Sequence, residues 1–135
     1  MEAMVKKWYE YLGQGQLMGT RCADCGTYEF PPLPICDNCG GFDMQWTQLS
    51  GRGTMISIRT PLRPEPAFEK DWPYSDCIVL LEEGPQYGGM IFEIGPDQFE
   101  EYYNKPNQPV EVVFQDRGEY TYVAWRLAEV TLATV

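Results

Sequence analysis

Near the start of the chain the apolar positions fall on one helical face. Val5, Trp8, Tyr9 and Leu12 stand at i, i+3, i+4 and i+7, the spacing that stacks side chains along one side of a 3.6-residue helix. Gly13 and Gly15 then end the pattern, so residues 1–15 read as a short amphipathic helix. Such a helix either packs on its own domain or docks a partner. The docking reading is favoured, because the short segment that follows offers little surface on which to bury Trp8 and Tyr9. From residue 46 onward the pattern is that of strands. Thr54–Thr60, Asp76–Glu82, Tyr87–Ile94, Val110–Gln115 and Tyr120–Val130 are predicted strands, rich in β-branched and aromatic residues. Gly51-Arg52-Gly53, Glu83-Gly84-Pro85 and Asp116-Arg117-Gly118-Glu119 read as turns, and Gly88-Gly89 suggests a bulge or sharp bend inside the third strand. Pro96 to Tyr103 starts as a helix should, with proline early and acids in the first turn.

Five strands with one helix between the third and fourth is the order of the OB-fold, a partly open five-stranded Greek-key barrel. The connection over residues 61–75 holds Pro61, Pro64, Pro66 and Pro73 and is longer than usual. Its Phe68, Trp72 and Tyr74 either pack over the barrel mouth or meet a partner or ligand. Cys77 sits in an apolar strand and reads as a small core residue.

Before the barrel lie Cys22-Ala23-Asp24-Cys25-Gly26 and Cys36-Asp37-Asn38-Cys39-Gly40, two Cys-x-x-Cys pairs separated by ten residues. Each reads as a knuckle that turns backbone N–H groups toward sulfur and then needs a positive φ, which glycine adopts at little cost. Leu17–Arg21 is a short strand leading into the first knuckle, and Phe30-Pro31-Pro32-Leu33-Pro34 is a rigid return to the second. Zinc is tetrahedral and takes four soft ligands at about 2.3 Å, which two facing knuckles supply. Cys22, Cys25, Cys36 and Cys39 are therefore the predicted ligands of a structural Zn2+, with no open position for catalysis. A rubredoxin-type iron and a redox dithiol pair are the alternatives left open. The chain thus divides into an N-terminal amphipathic helix (1–15), a zinc ribbon (16–48) and an OB-fold domain (49–135), a mainly β architecture.

Composition narrows the function. Apolar residues make up 44% of the 135, enough to bury a core, while 20 acidic and 10 basic residues leave a net charge of −10. Nucleic-acid binding depends on neutralising phosphates with Lys and Arg, so this balance argues against it, as it does against anionic membrane surfaces. No apolar run approaches the roughly 18 residues that span a bilayer. Met1 to Tyr11 carries charges and no apolar h-region, so a cytoplasmic protein is expected. The chain has no histidine. That removes the commonest general acid–base and any Cys–His or Ser–His pair, and no catalytic residue is expected in it.

The runs Trp8-Tyr9-Glu10-Tyr11-Leu12, Arg21-Cys22-Ala23-Asp24-Cys25-Gly26, Phe30-Pro31-Pro32, Cys36-Asp37-Asn38-Cys39-Gly40, Ser50-Gly51-Arg52-Gly53-Thr54 and Leu81-Glu82-Glu83-Gly84-Pro85 carry a resemblance over essentially the whole chain. It resembles the acyl-CoA-associated family in which a rubredoxin-like zinc ribbon is fused to an OB-fold, long filed as a domain of unknown function. The resemblance implies a non-catalytic accessory subunit of a hetero-oligomer. Partners in that family are thiolase-superfamily enzymes, or hydratases and aldolases acting on acyl-CoA thioesters. Family settings include an archaeal mevalonate-pathway thiolase complex, bacterial steroid side-chain degradation and the benzoylsuccinyl-CoA thiolase of toluene breakdown. Ribbon and helix dock the partner, through Val5, Trp8, Tyr9 and Leu12 here, and the barrel lies near the bound CoA thioester. The length of the chain fits the thiolase partners best. One departure stands out: family members often carry Ile-Gly before the fourth barrel strand, where this chain has Asn104-Lys105-Pro106-Asn107-Gln108-Pro109.

Given that resemblance, the cluster Arg52, Arg59, Arg63 and Lys70 acquires a reading beyond solvated surface charge. Arginine binds phosphate oxygens bidentately, so Arg52, Arg59 and Arg63 are candidates for a contact to CoA phosphate or to an acidic patch on the partner. The alternative function rests on the fold alone: an OB-fold that binds single-stranded nucleic acid or another ligand, with Tyr120, Tyr122 and Trp125 as stacking candidates. By parity Tyr120 and Tyr122 share a face and Trp125 takes the other, and no basic residue interleaves them before Arg126. Glu82 and Glu83 point to opposite faces of a strand and form no carboxylate pair.

Overall fold

The computed structural model describes residues 2–61, 63–105 and 107–128. Helix α1 (Glu2–Gly13) opens the chain. A three-stranded antiparallel sheet follows, built from β1 (Met18–Cys22), β2 (Tyr28–Glu29) and β3 (Met44–Gln48) in the order β2-β1-β3. Then β4 (Arg52–Arg59), β5 (Ser75–Leu81), β6 (Gln86–Ile91), β7 (Gln108–Asp116) and β8 (Thr121–Leu127) close into a barrel in the order β4-β5-β6-β8-β7. The last strand pairs parallel to β6 at Ile91 and Trp125, β4 closes on β7, and every pairing but β6–β8 is antiparallel. This is the connectivity of the OB-fold, and α2 (Phe99–Tyr103) sits between its third and fourth strands as expected, after a 3₁₀ turn at Pro96–Gln98. Among the described residues no helix is long and apolar enough to cross a membrane.

Alternation along the strands decides what enters the barrel. In β5, Ser75, Cys77, Val79 and Leu81 are buried while Ile78 and Leu80 are exposed, which is the period-2 pattern. Trp125 fills the interior, where a Cβ on Gly89 would lie 2.9 Å from its Nε1. That contact, and not a bulge, explains the glycine: β5 pairs with β6 in unbroken register through Gly88 and Gly89, and the irregularity falls in β4 between Met55 and Ser57. Arg52 and Gly53 likewise belong to β4, and only Gly51 takes a positive φ, of 78°. Asn107, at φ 67°, supplies the left-handed residue before β7 and donates its N–H to Met55 O at 3.0 Å. The departing loop therefore leaves the barrel intact; Pro106 and residues 129–130 of the last predicted strand lie outside the described residues.

The long connection is not structureless. Pro66–Asp71 forms 3₁₀ turns, and Phe68 and Tyr74 are buried with Met90 in a second apolar cluster that Trp72, Phe92 and Tyr122 flank. Arg117 from the β7–β8 turn closes this cluster, its guanidinium 4.2 Å from the Phe68 ring and 2.9 Å from Asp71. Of the two readings of these aromatics, Phe68 and Tyr74 take the packed one.

The main core runs without a break from the ribbon into the barrel. Leu12, Leu17, Phe30 and Leu49 belong to one buried cluster with Met55, Val79, Ile91, Val110 and Trp125. Leu12 is 1% exposed, which corrects its placement on a docking stripe: the face of α1 that carries it lies against this core. Trp8 is half-buried, edge-on to Phe30 with centroids 5.9 Å apart. Val5 at 47% and Tyr9 at 42% remain exposed. Leu12→Ala is therefore expected to destabilise the protein by about 2–4 kcal/mol, as deletion of a buried leucine does, measured by denaturant unfolding of the isolated chain. Unchanged stability would return Leu12 to the surface.

Candidate metal centre

The ribbon sheet delivers the two knuckles to one point. Cys22 ends β1, and pairing of Cys22 with Met44 brings the far end of the second knuckle alongside. Gly26 N–H donates to Cys22 O and Gly40 N–H to Cys36 O, both at 2.8 Å, and the two glycines take φ of 79° and 76° as the motif demands. The four Sγ atoms of Cys22, Cys25, Cys36 and Cys39 then lie within 4.8 Å of one another. Cys22 Sγ and Cys39 Sγ are 3.6 Å apart, as are those of Cys25 and Cys36. Thiolates on a tetrahedron with zinc–sulfur bonds of about 2.3 Å stand roughly 3.8 Å apart, whereas a disulfide needs about 2.05 Å. The donor set and its dimensions thus fit a tetrahedral metal and not a pair of disulfides.

The surroundings explain how the sulfurs are held. Thr27 Oγ1 is 3.2 Å from Cys25 Sγ and Asn38 Nδ2 donates to it at 3.7 Å. Hydrogen bonds from Thr27 and Asn38 lower the Cys25 pKa to about 6. At Cys39 the Gly41 N–H favours the thiolate, yet crowding by the sulfurs of Cys22, Cys25 and Cys36 carries the pKa up to about 12. Four sulfurs at this spacing lose their protons together only around a cation. Thr20, fully buried in β1, accepts from Leu33 N–H and donates to Leu33 C=O, each at 3.1 Å, and so ties the proline-rich return to the sheet. Metal bound here joins two segments of chain and supplies stability; with four protein ligands it leaves no site for a reacting water.

The remaining candidates are scattered. Arg52 starts β4, 3.6 Å from Glu82, and Arg59 ends it, 2.5 Å from Asp76. Seven residues of strand separate them by on the order of 20 Å, so they do not form one phosphate clamp. Arg59 borders a hollow of about 460 Å³ with Ser57, Ile78, Gly88 and Tyr122 on the outside of the barrel. Arg63 lies in the long connection after β4. Burial pushes the Cys77 thiol up to about 12, which suits a core residue. Tyr120 stands edge-on to Tyr9 and Tyr122 packs on Phe68, so the aromatics of the last strand form no continuous stacking platform. Sequence reasoning missed β2 and β3; the alternation Met44-Gln45-Trp46-Thr47-Gln48 was a usable signal for the second.

The purified protein is expected to carry one zinc per chain by elemental analysis. Cys36→Ser, which removes a buried ligand, should abolish that stoichiometry and expose Phe30 and Trp8, read as a red shift of tryptophan emission. Full zinc content in the variant would refute the ligand set.

Comparison with known proteins bears on the whole chain. Residues 10–45 match the family described as ChsH2, rubredoxin-like zinc ribbon domain. A DUF35 domain-containing scaffold protein of Methanocaldococcus jannaschii is 32% identical over 126 residues, covering 88% of this chain and 86% of that one. Its counterpart in Pyrococcus furiosus is 32% identical over 94 residues, 70% of this chain and 68% of its own. A probable enoyl-CoA hydratase alpha subunit of Thermomonospora curvata is 38% identical over 94 residues, but the match covers only 29% of that longer protein. Among solved structures, the Ltp2-ChsH2(DUF35) aldolase superposes with a TM-score of 0.75 at 32% identity, over 92% of this chain and 94% of that one. The chain belongs to the family of DUF35 domain-containing scaffold proteins.

Proposed function

We propose that this scaffold protein is the non-catalytic accessory subunit of a thiolase-superfamily enzyme that makes or breaks a carbon–carbon bond in a CoA thioester. The observation that carries the reading is the likeness, along nearly the full chain, to the DUF35 chain of an aldolase complex. A relative described as a probable enoyl-CoA hydratase alpha subunit supports the same substrate class. In this reading Zn2+ in the Cys22, Cys25, Cys36 and Cys39 site stiffens the ribbon, and ribbon and helix together dock the enzyme. The exposed apolar residues suit that role: Val5 and Tyr9 on α1, and Ile35 and Phe42 beside the knuckles, Phe42 at 78% exposure.

The CoA contact falls on Arg59, because it borders a hollow of nucleotide size with hydroxyl groups at Ser57 and Tyr122, whereas Arg52 stands at the far end of its strand. A phosphate there competes with Asp76 for the guanidinium.

Two outcomes test this function. Affinity purification of the tagged protein from its own cells in mild salt should recover a thiolase-like chain in stoichiometric amount. Recovery of no CoA enzyme, or of nucleic acid alone, would sink the reading in favour of an OB-fold ligand binder. In the reconstituted complex, Arg59→Ala should raise KM for the CoA thioester about tenfold with kcat unchanged, while Arg52→Ala leaves both as they were. Equal effects of the two variants would remove Arg59 from the CoA site.

A further inference from the structure

Gly88 stands in the middle of β6, and nothing it touches among the described residues requires a glycine there. Its neighbour Gly89 differs, since a Cβ at that position would lie 2.9 Å from Trp125 Nε1. A Cβ on Gly88 would meet only Cys77 O, at 3.7 Å, which is ordinary contact, and its φ lies outside the left-handed region. Glycine inside a strand weakens it, through backbone entropy and a missing side chain, and marks places where a ligand or another backbone comes close. The sheet itself has room for a side chain at 88, so the clearance serves something that lies against the sheet from outside.

Outside is the hollow of about 460 Å³ that Arg59 borders. Register sets Gly88 directly opposite Ile78, and Ile78 opposite Ser57. Directly opposed residues share a face, and Ile78 is 42% exposed, so this row faces water. Two strand spacings of about 4.8 Å make it roughly 10 Å across. Along it stand a short hydroxyl side chain, one branched alkyl group and then bare backbone, a shallow floor on which a flat group lies against carbon and an exposed peptide plane. In the next row Arg59 pairs with Asp76. Nη2 donates to Asp76 Oδ2, but the guanidinium carries five donors and the side chain is 74% exposed, so its outer edge is open to an anion. Tyr122, packed on Phe68 with centroids 4.9 Å apart, also lines the hollow. A mainly apolar floor with one anion-binding group at its rim suits a planar ring that carries an acidic substituent.

We infer that the base of a nucleotide lies over Ile78 and Gly88 with a phosphate on Arg59, Gly88 being the residue whose missing side chain admits the ring. In the complex this nucleotide is the adenosine 3′-phosphate head of the CoA thioester. That identity rests on the accessory-subunit reading, which it deepens by naming the part of CoA that the barrel holds.

The test is a titration of the 15N-labelled zinc-loaded chain with adenosine 3′,5′-bisphosphate, beside pantetheine, which lacks both ring and phosphate. Amide shifts centred on Ser57–Arg59, Asp76–Ile78 and Gly88–Gly89 are expected for the bisphosphate and not for pantetheine. Gly88→Val should weaken the bisphosphate at least tenfold while the melting temperature holds or rises, because a β-branched side chain suits a strand. Gly88→Ala, the smaller intrusion, should weaken it severalfold with the fold kept. Wild-type affinity in the alanine variant and in a folded valine variant, an equal response to pantetheine, or no response to the bisphosphate at millimolar concentration would each overturn the proposal. Affinity purification separates it from the function above. If the wild-type chain recovers a CoA enzyme but does not bind the bisphosphate, the nucleotide site falls and the subunit reading stands. If it recovers none and still binds the bisphosphate in a Gly88-dependent way, the subunit reading falls and the nucleotide site stands.

Discussion

Phe30 sits where all three parts of the chain press together. Its ring is edge-on to Trp8 of α1 at 5.9 Å and to Tyr87 of the barrel at 4.8 Å, and it belongs to the ribbon by sequence. Little else in the ribbon is apolar and buried, so the ribbon cannot hold this ring in place by its own packing. The Thr20–Leu33 hydrogen bonds tie the return that carries it to the sheet, and the four sulfurs draw the two knuckles together. Ribbon and barrel are thus coupled through Phe30 together with Leu17 and Leu49, which share its buried cluster. The helix that carries Leu12 into the same core depends on that coupling too.

This coupling changes how the surface is read. A ribbon that swung freely on a linker would present its tip and the helix as independent docking points. Here the core continues from Leu17 through Leu49 into Met55 and Val79, so ribbon and barrel share one packed interior. A scaffold protein benefits from that rigidity, because ordering it on binding costs little further entropy.

Much of this was legible in the residues, and the rest was hidden for physical reasons. The knuckles declare themselves because zinc ligation demands fixed residue types at fixed spacing, and the barrel strands do so because each has one face in water. Leu12 could not be assigned, since a helix stripe shows only that one face seeks cover and not whether its own chain supplies it. Gly88-Gly89 read as a bend because a glycine's reason is often a side chain far away in sequence, here Trp125. The long connection left packing and partner contact undecided, because its aromatics find their partners in β6 and β8 and a clasp at Arg117, far away in sequence.

The arginines show the limit from the other side. Four bases close in sequence suggested one phosphate site, yet a strand carries neighbours apart at about 3.3 Å per residue, and the ion pairs to Glu82 and Asp76 hold Arg52 and Arg59 at opposite ends of β4. A groove between the ribbon and the β5–β6 turn, lined among others by Glu29, Asp37 and Glu83, is the converse case. Glu29, Asp37 and Glu83 are scattered over more than fifty positions, and none stands out alone; they meet only because the knuckle folds the ribbon back onto the β5–β6 turn. Charge that reads as dispersed along a chain can be focused by folding, and charge that reads as clustered can be dispersed. In this protein the focused charge is negative.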